Sequence, residues 1–93
     1  MFITITGVDH YMGTESLNVG QELLLKKEKN NAYDDESILV ENEKGVHYGH
    51  VANSVNTVAR GTHSAGYAYE SIGEETKCKI RFIIENRAIA EIL

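Results

Sequence analysis

Apolar and β-branched residues in this chain fall in short runs bounded by turn-forming residues, and that punctuation restricts it to a fold built from short strands. The runs lie at 2–8, 21–28, 37–42, 46–51, 76–84 and 88–93. Between the third and fourth, Asn42-Glu43-Lys44-Gly45 is a strong reversal signal, because Asn bonds its own backbone and Gly accepts a positive φ. Glu85-Asn86-Arg87 joins the last two runs into a hairpin. One helix is predicted from an N-cap at Asn53 or Ser54: Val55, Val58 and Ala59 share a face, and Gly61 supplies a left-handed stop after Arg60. Residues 62–74 are ambiguous, with Tyr67-Ala68-Tyr69 reading as a short strand and Gly73-Glu74-Glu75 as a turn. The fold class expected is mainly β, a small six-stranded barrel with one or two short helices, since closure removes exposed strand edges.

The 93 residues are expected to form one domain, 1–93, with a core just large enough to fold alone. No run of about 18 apolar residues is present to span a bilayer, and Met1-Phe2 opens into a strand pattern rather than a secretion signal. A cytoplasmic location with no membrane partner is the default. Cys78 is the only cysteine, so neither an intrachain disulfide nor a cysteine zinc site can be built within one chain; a buried, apolar role is expected. No proline, repeat or low-complexity segment interrupts the pattern.

The segment that most resembles a functional element is Asn30-Asn31-Ala32-Tyr33-Asp34-Asp35-Glu36, which runs into the apolar strand Ser37-Ile38-Leu39-Val40. Asn and Asp bond neighbouring backbone and tolerate positive φ, so the loop is expected to be compact rather than flexible. Tyr33 offers a flat ring for stacking and a phenol for hydrogen bonding. The plainer alternative is that Asn31 and Asp34 only close an Asx-turn while Tyr33 packs over the strand.

Two basic groups bear on a nucleic-acid reading. Strand alternation puts Lys77, Lys79 and Arg81 on one face and Cys78, Ile80, Phe82 and Ile84 on the other. A spacing of about 6.6 Å, twice the strand rise, is close to that of phosphates along a single strand, although a solvated strand face gives the same pattern. Lys26, Lys27 and Lys29 stand just before the Asn-Tyr-Asp loop. Against both stands a net charge of −5, from 14 acids and 9 bases, which disfavours tight binding of long duplex DNA. Catalysis is not expected. Asp34, Asp35 and Glu36 read as a solvated turn, and the odd spacing of His47 and His50 points them to opposite faces, where they cannot share a metal. No phosphate loop, nucleophile elbow or Cys-x-x-Cys pair occurs, and no cofactor is expected.

The order of Phe2–Val8, Tyr11-Met12-Gly13, Leu23-Leu24-Leu25, the Asn-Tyr-Asp loop and Tyr48-Gly49-His50-Val51 resembles the HIRAN domain over residues 2 to 60. The loop through Asp34 and Gly49-His50-Val51 are the most specific parts. That family's domain occurs beside helicase-like ATPases and nucleases and as free-standing bacterial chains, of which this is expected to be one. The resemblance implies an OB-like barrel and the capture of single-stranded DNA ends, in DNA repair or processing; because an ionised Asp34 carboxylate only accepts hydrogen bonds, a 3′-hydroxyl end is expected. It implies Asn31, Tyr33, Asp34 and His50 as the binding residues, with His10 and Tyr11 as neighbours and a helicase or nuclease acting in trans as a partner. Asp9 and Asn53 stand where DNA-binding members carry basic residues, and His10 replaces a phenol, so weak binding is expected. The alternative is a protein-interaction module with the same barrel and no DNA binding.

Overall fold

The computed structural model describes residues 1–93. Six strands form: β1 (Phe2–Thr6), β2 (Glu22–Lys27), β3 (Ile38–Glu41), β4 (His47–Val51), β5 (Glu75–Ile84) and β6 (Arg87–Ile92). They close into an antiparallel barrel in the order β1-β4-β3-β2-β5-β6. Period-2 alternation explains the core. Ile3 and Ile5 of β1, Leu23 and Leu25 of β2, Ile38 and Val40 of β3, Cys78 and Ile80 of β5, and Ala88 and Ala90 of β6 all point inward and are buried. Fully burying a large aliphatic side chain is worth about 1.5–3 kcal/mol, so these positions set the register of each strand.

Two bulges change which faces the later side chains take. In β4 the register slips between Val40 and Glu41 of its partner, leaving Tyr48 as the extra residue. His47 and His50 therefore lie on the same outer face, contrary to the expectation from their odd spacing, while Tyr48 turns into the core. In β5 the slip falls between Ile80 and Phe82, with Arg81 extra. Phe82 and Ile84, expected inside, are thrown outward, and Ile83 packs on the core in their place.

The helix is also displaced from its expected position. Residues 54–58 begin a turn in which Thr57 and Val58 donate their N–H groups to the Ser54 carbonyl. It cannot propagate, because Ala59 N–H donates to the buried Thr4 Oγ1 at 3.0 Å rather than to a carbonyl one turn back. Thr62 bonds Thr4 at 2.7 Å and donates to the Ala59 carbonyl, tying the 59–62 loop over β1. Val55 is left 94% exposed. The helix that does form is α1 (Ala65–Ser71), across the Tyr67-Ala68-Tyr69 segment expected as strand. Ser64 caps it by accepting Tyr67 N–H at 3.2 Å, and Ala65 and Ala68 bury one face.

Candidate nucleic-acid interface

The Asn-Tyr-Asp loop is held compact by local hydrogen bonds. Asn31 Oδ1 accepts the N–H groups of Tyr33 at 2.9 Å and Asp34 at 3.1 Å, and Asp34 Oδ1 accepts that of Glu36 at 2.9 Å. At its base Glu28 N–H donates to the Ser37 carbonyl at 2.9 Å, closing the loop like a hairpin. Asn31 and Asp34 thus form the expected Asx-turns. Tyr33 does not pack over the strand: it is 99% exposed, with its ring in solvent at the loop tip. Asp34 keeps its Oδ2 without a protein partner.

Glu28 links this loop to β4. Its Oε1 accepts the Ser37 hydroxyl at 2.6 Å and the His50 Nε2–H at 2.8 Å, the carboxylate requiring the ring nitrogen to donate. Burial pushes the Glu28 carboxyl up, but hydrogen bonds from Ser37, His50 and Asn31, with the charge of His50, outweigh it and hold its pKa below the ordinary 4.5. The Tyr11 ring stands 6.0 Å from that of His50 and 6.1 Å from that of His47, between the two histidines that the β4 bulge has brought to one face. A short 3-10 turn, Val8–His10, places Tyr11 there, with Tyr11 N–H donating to the Val8 carbonyl at 3.0 Å. His10, on the same turn, is exposed and makes no side-chain hydrogen bond. The structure therefore brings together Asn31, His50 and Tyr11 through Glu28, with Tyr33 and Asp34 projecting from the same loop and His10 at the margin.

Sequence reasoning missed Glu28. It sits within Lys26-Lys27-Glu28-Lys29 and reads as an interruption in a basic group, while its partners lie 9 and 22 residues away. Those lysines are largely spoken for. Lys26 pairs with Glu41 and Glu75, Lys29 with Glu74, and Lys27 lies over the Tyr69 ring at 4.5 Å. In the β5 ladder, Lys79 is 3.9 Å from Glu22 and Arg81 is 2.8 Å from Glu91. Asn53 is clasped between Glu36, at 3.3 Å, and Gly66 N–H, at 2.9 Å. Beside that clasp His63 and Tyr67 stack with centroids 4.2 Å apart.

A closed antiparallel barrel of six short strands that carries a compact polar loop belongs to the class of small OB-like barrel domains. The chain is a member of the HIRAN domain family, whose model matches residues 1–85, and HIRAN domains are nucleic-acid-binding modules. No curated protein matches the chain. The crystal structure of the HIRAN domain of human HLTF superposes with a TM-score of 0.69 at 18% identity, over 99% of this chain and 71% of that one. A protein from Lactobacillus plantarum superposes at 0.66 and 16% identity, over 98% and 87%. At these identities the two structures speak for the shared fold. No helix is long and apolar enough to cross a membrane.

Proposed function

We propose that the chain acts as one HIRAN-like domain, in the cytoplasm, that captures a single-stranded DNA end and recognises its 3′-hydroxyl by binding rather than catalysis. The observation that carries this reading is Tyr33, a fully exposed aromatic ring on a loop fixed from beneath by Asn31 and Asp34. A terminal base stacked on such a ring gains about 1–3 kcal/mol, and every base has a face to stack. The free Oδ2 of Asp34 can only accept a hydrogen bond, so it suits a terminal hydroxyl and repels a terminal phosphate. Tyr11 and His50 supply a second aromatic surface beside the loop, with His10 at its edge. Use in DNA repair or processing, with a helicase or nuclease acting in trans, fits a domain that holds an end without cutting it.

Fluorescence anisotropy with short oligonucleotides that differ only at the 3′ end tests the reading. The 3′-hydroxyl strand is expected to bind about tenfold or more tightly than the 3′-phosphate strand, and Asp34→Ala is expected to erase most of that preference. Equal affinity for both ends in the parent chain rules out this role for Asp34. Absence of any binding at low salt favours the protein-interaction module instead.

A further inference from the structure

We propose that the outer wall of β1, β5 and β6 is a docking groove for an acidic peptide segment of a partner protein that inserts an apolar side chain. The groove shares no residue with the Tyr33, Tyr11 and His50 surface. The β5 bulge creates it: Phe82, 60% exposed, and Ile84 are turned out of the barrel and stand beside Phe2 of β1 and Ile89 of β6. The 59–62 loop, anchored through Thr4, forms the opposite bank with Ala59, Gly61 and Thr62. The cleft between them holds about 320 Å³, at the small end of ligand pockets and enough for a large apolar side chain. Its surface continues across the same loop to the exposed Val55 and half-buried Val58.

Charge identifies the occupant. Of the three arginines, Arg81 is paired with Glu91, whereas Arg60 and Arg87 have no acidic partner. Both unpaired arginines are at this loop: Arg60 lines the cleft, and Arg87 donates to the Thr57 carbonyl at 3.2 Å. No Asp or Glu lines either side of the loop, in a chain with 14 acids. An apolar cleft with the free Arg60 guanidinium on its bank, and with Arg87, which lacks an acidic partner, held beside the same loop, is complementary to carboxylates flanking an aromatic or aliphatic anchor. A nucleic-acid strand would instead want cations spaced along its length, and this groove sets Arg60 alone beside Phe2, Phe82, Ile84 and Ile89.

Selection of a displayed library of random short peptides against the full chain tests the assignment. Enriched peptides are expected to carry a Phe, Leu or Ile anchor flanked by Asp or Glu. Their affinity is expected to fall about tenfold or more with Phe82→Ser and with Arg60→Glu, both surface changes whose folding a thermal melt verifies. Replacing the peptide carboxylates with Lys is expected to restore binding to Arg60→Glu, while single-stranded DNA binding stays unchanged in both variants. No enrichment, enriched peptides without acids, or binding that survives both substitutions overturns the proposal. An oligothymidylate whose affinity is lost with Phe82→Ser would assign the groove to nucleic acid and overturn it equally.

Discussion

Tyr33 keeps its ring in water because its neighbours, not its own side chain, hold the backbone around it. Stability and binding therefore separate at two residues of one loop, Asn31 and Tyr33. Asn31→Ala removes the acceptor of two N–H groups and is expected to cost about 1 kcal/mol, or about 4–8 °C in a melt of a domain this size. Tyr33→Ala removes no intramolecular contact, so its melt is expected to match the parent while oligonucleotide affinity drops. A lower melting temperature for Tyr33→Ala would mean the ring packs in solution. This turn was legible in the sequence because Asx chemistry reaches only two or three residues. Glu28 was not, because its partners meet it only through the pairing of β2, β3 and β4. It also makes stability depend on acidity. A carboxyl held below 4.5 in the fold stabilises it at any pH above that value, and the contribution is lost as pH falls through the lower, folded pKa. The acid limb of a stability profile is therefore expected to lie below pH 4.5 and to flatten in Glu28→Gln, and an identical limb in that variant would show that the Ser37 and His50 bonds contribute nothing.

Among the elements, what could be read was whatever depends on regular alternation. All six strands fall where the apolar runs place them, within a residue or two at each end. Most of the errors share one cause: a residue inserted into a ladder, or a tertiary bond that captures a backbone group, leaves no local trace. The bulges in β4 and β5 each reversed the face of the side chains beyond them, and Thr4 arrested a turn 55 residues away. The displaced helix did carry a signal, since Ala65, Ala68 and Ile72 at spacings of three and four follow the Ser64 cap, but the Tyr67 and Tyr69 alternation masked it. The β4 bulge depends on Gly49, whose φ of 152° suits glycine and whose missing Cβ would lie 2.5 Å from the Thr6 carbonyl oxygen. Gly49→Ala is expected to cost about 2–3 kcal/mol or more by straining the backbone and forcing β1 from β4. Denaturant melts of the two proteins measure it, and coincident curves would show that β1 and β4 do not approach this closely.

For the whole molecule, the acidic balance was plain from composition, but which cations stay free required the structure. Lys26, Lys29, Lys79 and Arg81 all face acids, so the two basic groups that resemble a phosphate track are largely neutralised within the chain. Phosphate neutralisation releases counterions and sets the salt dependence of binding, with a slope of about −0.7 per phosphate on a single strand. With so few free cations near the loop, the expected slope of log K against log salt is on the order of −1 to −2, the remaining affinity coming from stacking and the terminal hydroxyl. Asp9 lies on the exposed turn that presents Tyr11, close enough along the chain to repel an approaching phosphate. Asp9→Lys exchanges one repulsion for one attraction, so it is expected to tighten binding at low salt and steepen the slope by about one, with affinities converging as salt rises. Anisotropy titrations across a salt series measure both quantities. A parent slope steeper than about −4 would mean that a basic surface elsewhere on the barrel dominates, and an unchanged affinity in Asp9→Lys would place the strand away from the Val8–His10 turn.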